Sequence, residues 1–233
     1  MKNPYPSKKI FFVIPAYNEE KSISRVVREL KAAGYKYIVV IDDGSKDRTY
    51  EEAKKQGVVA LQHMINRGQG AALKTGIDYA LKNGAEFIVT FDSDGQHRIE
   101  DLPAMLSPVV KGEVDVTLGS RFLHQKKINM PLGRRILLKG SVWVQWFFYG
   151  VKLSDAHNGY RVLSRKAAEM IHIDSDRMEH ASEIVEEIMK KNIKYKEVPV
   201  IIRYTGYSMK KGEGSFKGAL KIFFKMLLRR VAH

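Results

Sequence analysis

The chain predicts an α/β fold in which a mostly parallel central sheet is flanked by helices. Three observations predict it. Short apolar runs alternate with single helical segments over residues 10–91, the signature of consecutive βαβ units. Each run stops on a polar segment marked by Gly or Pro, where the ligand crevice of a parallel sheet lies. The 233 residues, 44% of them hydrophobic, suffice for one large domain or a domain with appendages.

The elements follow in order. Ile10-Phe-Phe-Val-Ile14 reads as a strand ended by Pro15. Ser22 to Ala33 reads as a helix, with apolar positions at Ile23, Val26, Val27 and Leu30 and Gly34 behind it as a stop. Tyr37 to Ile41 is a second strand, running into Asp42-Asp43-Gly44-Ser45, and Asp47 to Gln56 a second helix. Val58 to Leu61, Gly70 to Asn83 and Phe87 to Phe91 continue as strand, helix and strand. The second half is less regular: a helix over Leu102–Val110, a strand over Val114–Gly119 ending at Ser120-Arg121, and an aromatic, apolar stretch from Ile136 to Leu153. Helices are expected over Ser164–Ile171 and Ala181–Lys191. Lys196–Tyr204 reads as a strand placed at an edge or bulge by Pro199, and Gly218–Arg230 as a helical tail.

Composition narrows the function. There is no cysteine, which excludes a disulfide framework and cysteine-based zinc sites. Met1-Lys-Asn-Pro-Tyr-Pro has no apolar h-region, so no secretory signal is expected, and the uncharged stretch Gly140–Val151 is too short to cross a bilayer. The net charge of +14 is uneven. Residues 116–154 carry seven basic residues and no acidic ones, and residues 190–233 carry twelve basic and two acidic. Charge localised this way points to an anionic partner: lipid headgroups, nucleic acid or a phosphorylated substrate.

Asp92-Ser-Asp94, with Gln96 two residues on, closes the fourth strand. Two carboxylates this close favour a cation between them, and Mg²⁺ typically takes one or two protein carboxylates plus substrate phosphate oxygens. Read alone, the pair serves equally well as a polar turn with an Asp cap. Asp42 and Asp43 are placed to accept hydrogen bonds from a base or ribose, or simply to form a turn. Asn66-Arg-Gly-Gln-Gly70 is a Gly-rich helix start, but Leu73 stands where a third fingerprint glycine would fall, leaving a ligand-approach site or a plain cap. Arg121 and Arg203 are candidate diphosphate clamps or solvated surface arginines. His97, His157 and His180 show no metal-type spacing, and the last two read as structural or acceptor-side residues.

Together, Ile14-Pro-Ala-Tyr-Asn-Glu19, Ile41-Asp-Asp-Gly-Ser-Lys-Asp47, Asn66-Arg-Gly-Gln-Gly70, Phe91-Asp-Ser-Asp-Gly-Gln-His97, Gly119-Ser-Arg121 and Asp155-Ala-His-Asn-Gly-Tyr-Arg161 resemble family 2 glycosyltransferases of the GT-A fold. They are most similar to the dolichol-phosphate mannosyltransferase-like, or polyprenyl-phosphate glycosyltransferase, branch, over about residues 8–208. The resemblance implies a catalytic domain at 1–208, with a nucleotide-binding half (8–122) and an acceptor half (123–208); the residue pattern adds a basic amphipathic tail at 209–233 with C-terminal helices. It implies that Pro15, Ala16, Tyr17, Asn18 and Glu19 form a nucleotide-binding loop, with Ile41 and Asp43 at the base or ribose. Gly70, Asp92, Ser93 and Arg203 would contact the nucleotide sugar. Asp92, Asp94 and Gln96 would hold Mg²⁺ or Mn²⁺, and Asp155, Arg121 and Asp94 are the implied catalytic group, Asp155 as general base. Two features depart from that branch: the Gly95 position is often apolar there, and its members often carry C-terminal transmembrane helices, which this sequence does not show.

The implied reaction is inverting transfer of a sugar from a GDP- or UDP-linked donor to a polyprenyl phosphate. A phosphate acceptor, with a second pKa near about 6, needs little general-base help, whereas a hydroxyl needs a base such as Asp155. Arg134 to Tyr149 and Ala219 to Arg230 combine cations with apolar aromatic faces, as interfacial helices do. The expected location is therefore cytoplasmic and peripheral, on an anionic membrane surface. The alternatives are a soluble family 2 enzyme acting on a polysaccharide, glycan or small hydroxyl acceptor, and a non-catalytic basic module that binds nucleic acid or membrane. The paired carboxylates would repel nucleic acid, and none is expected as a partner.

Overall fold

The computed structural model describes residues 2–123, 153–155 and 158–203. In chain order these form β1 (Ile10–Ala16), α1 (Ile23–Ala32), β2 (Tyr37–Asp42), α2 (Thr49–Lys55), β3 (Val59–Gln62), α3 (Gln69–Lys82) and β4 (Phe87–Thr90). A 3₁₀ turn (Ile99–Asp101), α4 (Leu102–Val110), β5 (Val116–Ser120), β6 (Arg161–Ser164), α5 (Arg165–Met170), α6 (His180–Lys190) and β7 (Tyr195–Pro199) follow. The seven strands form one sheet in the order β3-β2-β1-β4-β6-β5-β7. β3, β2, β1 and β4 run parallel, β6 is antiparallel to both β4 and β5, and β7 is parallel to β5. The expected α/β fold with a mostly parallel sheet is the observed one, and Pro199 ends the edge strand β7.

Strand alternation builds two apolar layers. In β1, Phe11 and Val13 face α3, α5 and α6, while Ile10, Phe12 and Ile14 face α1 and α4. α1 buries Ile23, Val26, Val27 and Leu30, the stripe its spacing dictates, and Gly34 ends the turn at φ 88°. α3 comes so close to the sheet that a Cβ on Gly76 would overlap Val13 Cγ1 and Ile41 Cδ1. That closeness sets the helix start directly above the strand ends.

Two sequence readings need correction. Pro15 does not end the first strand; β1 continues to Ala16, paired with Asp42 of β2. Pro15 is tolerated because β4 pairs only as far as Val13, so no ladder partner on that side needs the missing N–H. The strand β6 was not expected at all. Four residues carry too little periodicity to announce a strand, and β6 exists because β4 and β5 flank it on both sides. Residues 136–152 and the tail 209–233, where interfacial helices are expected, lie outside the described residues.

Gly76→Ala is expected to destabilise the chain by about 1–3 kcal/mol through overpacking, although the same change on an exposed helix would gain about 1 kcal/mol. Urea denaturation checks the sign.

Candidate active site

A cavity of about 350 Å³ opens beyond the carboxyl ends of β1, β2 and β4. Its wall is formed by Pro15, Ala16, Tyr17 and Glu19 after β1, Asp43 after β2, Asn66, Gly68, Gln69 and Ala72 around the start of α3, and Asp92, Ser93 and Asp94 after β4. Four of the six sequence motifs therefore converge here.

The β1 and β2 ends are stitched to each other. Asn18 adopts the left-handed conformation at φ 53°, its N–H donates to Ser45 Oγ at 2.9 Å, and its Oδ1 accepts from Lys46 N at 2.9 Å. Buried Glu19 accepts from Ser22 Oγ at 2.5 Å. Asp42 accepts from Gln62 Nε2 at 2.9 Å and Ser45 N at 3.3 Å, so it shapes the turn rather than the cavity.

Asp43 organises the start of α3. Its Oδ1 accepts from His63 Nδ1 at 2.8 Å and Arg67 N at 3.1 Å, and its Oδ2 accepts from Gly68 N at 2.6 Å. A helix N-terminus favours an anion, and Asp43 supplies one internally. The Gly-rich start is thus not an open phosphate cradle. Its glycines meet protein backbone: a Cβ on Gly68 would overlap Asp176 O, and one on Gly70 would overlap Ser175 O. Gly70, expected at the nucleotide sugar, is off the cavity wall, and so is Ile41, whose side chain is in the core beneath Gly76. Both are close-packing positions, which a local motif cannot distinguish from ligand-approach positions.

At the β4 end two carboxylates face opposite electrostatics. Burial opposes the charge on Asp92, but His97 overcomes it, with His180 and Arg161 beyond, and holds the carboxyl below its ordinary range. His97 Nε2 is 2.9 Å from Asp92 Oδ2, off the line of an aligned hydrogen bond. Gln69 Nε2 donates to Asp92 Oδ1 at 3.3 Å. Asp94 is pushed up to about 6, by burial first and the charge of Asp92 second, against a hydrogen bond from Gln96 N at 2.9 Å.

This donor set fits a hard divalent cation that shares substrate oxygens. Two carboxylates reach the cavity, and Asp94 ionises at a penalty that a cation would remove. Among the described residues no group of three or more His, Asp or Glu could cage an ion by itself, so the remaining ligands would come from diphosphate and water. Gln96, expected as a third ligand, is not on the cavity wall, and its backbone C=O accepts from Arg203 N at 2.9 Å.

Arg121 and Asp155 are brought together, away from that wall. Arg121 Nε and Nη2 bind Asp155 Oδ2 and Oδ1 at 2.6 and 2.7 Å, and Arg121 N binds Oδ2 at 3.0 Å. Asp155 is 4% exposed and Arg121 9%. A carboxylate gripped on both oxygens by one guanidinium serves to position that arginine. Arg203 lies against the turn after Asp94, with Nη2 3.2 Å from both Glu100 oxygens and Nη1 3.9 Å from Glu29.

The structure adds Arg161 and Gly159, which sequence reasoning did not single out, and places His97 and His180, the second of them read from the sequence as structural or acceptor-side. Arg161 is 2% exposed, donates to Ala181 O at 3.2 Å, and is pulled down to about 10 by burial against the opposing charges of Asp92 and Asp155. It is the last residue of the Asp155–Arg161 motif, the one signal that could have flagged it. His180 is brought down to about 4 by burial and then by Arg161, so it is neutral at pH 7. His97 is packed between Phe91 and Tyr160, with ring centroids 5.2 and 4.7 Å away. Gly159 passes so close to Asp92 that a Cβ there would come within 2.9 Å of Oδ1.

A model of the family described as Glycosyl transferase family 2 matches residues 11–171. The chain is 34% identical over 244 residues, 96% of this chain and 97% of the relative, to a UDP-N-acetylglucosamine–dolichyl-phosphate N-acetylglucosaminyltransferase of Methanococcus voltae. It is 32% identical over 178 residues, 73% of this chain and 67% of the relative, to a polyprenol monophosphomannose synthase of Mycolicibacterium smegmatis. Among solved structures, glucosyl-3-phosphoglycerate synthase from Mycobacterium tuberculosis in complex with Mn²⁺, UDP and phosphoglyceric acid shares the fold, with TM-score 0.61, 17% identity, and coverage of 89% of this chain and 75% of that one.

Two outcomes follow from the site. With Asp94 raised from 3.8 to about 6, its folding penalty is complete above pH 6 and disappears below about pH 4. Asp94→Asn is therefore expected to stabilise the metal-free protein at pH 7.5 by about 1–2 kcal/mol and to remove the stabilisation given by Mn²⁺, read in thermal melts with EDTA or Mn²⁺. Asp155→Asn leaves Arg121 buried and half-paired, and a loss of about 3–5 kcal/mol is expected in denaturant unfolding.

Proposed function

The chain belongs to glycosyltransferase family 2, and from that premise we propose that it is a metal-dependent, inverting enzyme that moves a sugar from a nucleoside diphosphate sugar to a polyprenyl phosphate. The observation that carries the reading is the cavity with Asp43 at one end and the Asp92–Asp94 pair at the other. A nucleotide recognised at Asp43 would extend its diphosphate toward the carboxylates. The names of the Methanococcus voltae and Mycolicibacterium smegmatis relatives support the lipid phosphate acceptor.

A divalent cation held by Asp92 and Asp94 would neutralise charge building on the leaving diphosphate. Asp92 is kept ionised and in place by His97, Gln69 and Arg161. An acceptor phosphate oxygen attacks the anomeric carbon from the face opposite the diphosphate. The new C–O bond forms as the old one breaks, and the diphosphate leaves with the bonding electrons. The phosphate acceptor is already largely ionised at neutral pH, so no proton need be removed. The engagement of both Asp155 oxygens by Arg121 agrees with an acceptor that needs no general base. In this reading Arg121 serves the sugar or diphosphate, Asp155 fixes its guanidinium, and Arg203 moves from Glu100 to the diphosphate when the donor binds.

Among the described residues no helix is long and apolar enough to cross a membrane. The basic aromatic sequences at 134–149 and 219–230 support peripheral contact with an anionic lipid surface.

The test combines the purified chain, a panel of UDP- and GDP-sugars, Mn²⁺ or Mg²⁺, and anionic vesicles with or without polyprenyl phosphate. Sugar transfer to the lipid is expected only with donor, metal and polyprenyl phosphate together, and EDTA is expected to abolish it. Asp92→Asn is expected to lower turnover by about 10²-fold or more. Transfer to a glycan or simple hydroxyl, with none to the lipid phosphate, would replace this reading with a hydroxyl-acceptor enzyme.

A further inference from the structure

We infer that the carboxyl edge of the sheet docks on an anionic lipid bilayer, and that the loop between β3 and α3 inserts Met64 and Ile65 into it. The inference rests on the lipid-phosphate reading for the identity of the partner. It deepens that reading by naming the face on which the acceptor is met.

Among the described residues, the large apolar side chains left exposed are concentrated on one edge. Tyr17 follows β1, Met64 and Ile65 follow β3, Leu123 follows β5, and Met178 belongs to the segment packed on the start of α3. All five lie beyond the carboxyl ends of strands. The other two, Tyr37 and Val59, open β2 and β3 at the opposite edge. Single exposed apolar residues are ordinary on a surface, whereas a concentration of them on one side marks an interaction surface. The degree of exposure is also uneven: Met64 is 100% exposed, Ile65 70% and Met178 54%.

These side chains cannot hide by refolding, because the main chain beneath them is fixed. His63 N donates to Asp42 O at 2.8 Å, and Arg67 N and Gly68 N donate to Asp43. Between those anchors the Ile65 backbone lies against Gly44, where a Cβ would come within 2.6 Å of the Ile65 carbonyl carbon. The Met178 segment is held in the same way. Ala71 N donates to Asp176 O at 3.1 Å, and Arg67 Nη2 is 3.1 Å from Asp176 Oδ1.

Topology and charge name the occupant. β1 to β5 and β7 all run in one direction, with β6 alone opposed. The cavity, the apolar tips and the chain leaving β5 and β7 therefore share one edge. The sequences joined to that edge are the basic ones: residues 116–154 carry seven basic residues and no acidic ones, and residues 190–233 carry twelve basic and two acidic. Arg67 and Arg177 stand beside the tips themselves, Arg67 paired with Asp176. Apolar tips among cations are the composition of a surface that inserts shallowly beneath anionic headgroups. A polyprenyl phosphate holds its phosphate at headgroup level, so a bilayer on this edge presents that phosphate to the cavity mouth.

The chain has no cysteine, so a single introduced thiol carries a single label. Full-chain Met64→Cys, Met178→Cys and Glu113→Cys, the last exposed on the opposite edge before β5, are labelled with a polarity-sensitive fluorophore. Each is mixed with vesicles of equal parts phosphatidylcholine and phosphatidylglycerol at physiological salt. Blue-shifted emission is expected at positions 64 and 178 and not at 113. The double variant Met64→Asp, Ile65→Asp is expected to partition onto the vesicles about tenfold more weakly, with an unchanged melting temperature. Vesicle binding without a shift at 64 and 178, an equal shift at 113, or no vesicle binding would overturn the inference. A shift that needs no vesicles and grows with protein concentration would overturn it in favour of a second copy of the chain. Sugar transfer to polyprenyl phosphate in detergent, without insertion of the tips, would sink the docking face and leave the proposed reaction standing. Insertion with transfer to hydroxyl acceptors alone would do the reverse.

Discussion

Two carboxylates at the end of one buried strand cannot both be ionised without help, and the site is arranged around that constraint. Asp92 has its help built in, from His97, Gln69 and buried Arg161. Asp94 does not, and its charge is penalised by burial and by Asp92. The asymmetry leaves a place that a cation completes. It also explains why Gly159 lies against Asp92: only a residue without a side chain allows the β6 segment to run so close to the carboxylate.

The rest of the cavity wall is held by anions used as struts. Asp43 caps the start of α3, Asp42 ties the β2 turn to Gln62, and Glu19 anchors the helix after β1. Asp42 and Asp43 accept bonds from β3 and the loop before α3, and the Glu19 N–H donates to Thr49 Oγ1 at 2.7 Å, so the polar loops at the carboxyl edge of the sheet are tied to one another. Such networks are rigid when satisfied and costly when broken. Rigidity matters in an enzyme that must hold a flexible diphosphate in line with an acceptor.

The Arg121–Asp155 region follows another logic. The Arg121–Asp155 pair is nearly buried and doubly hydrogen-bonded, and Ser154 next to it donates to Glu197 of β7 at 2.7 Å. Arg161 is placed electrostatically between this pair and Asp92, since both carboxylates bear on its charge. The Asp92 and Asp155 carboxylates thus share one buried guanidinium. A fold that interrupts a parallel sheet with the antiparallel strand β6 is what delivers that guanidinium to both.

The sequence by itself determined the α/β class, the order of strands and helices through residue 91, and the strand-end loops as the place for chemistry. Period-2 and period-3.6 patterns and Gly/Pro punctuation are local, and local physics produces them. It also brought forward Asp43, Asp92 and Asp94, because polar residues directly after buried strands are conspicuous. Only the tertiary structure decided what those residues face. It showed that Gly68 and Gly70 yield to the 175–176 backbone, that Ile41 supports Gly76, and that Asp155 is committed to Arg121. It also made a strand of Arg161–Ser164 and brought His63, Gln69, His97 and His180 to the carboxylates. Those facts depend on contacts between segments far apart in the chain, and a hydrogen bond or an overlap across such a distance leaves no periodic trace in the sequence that makes it.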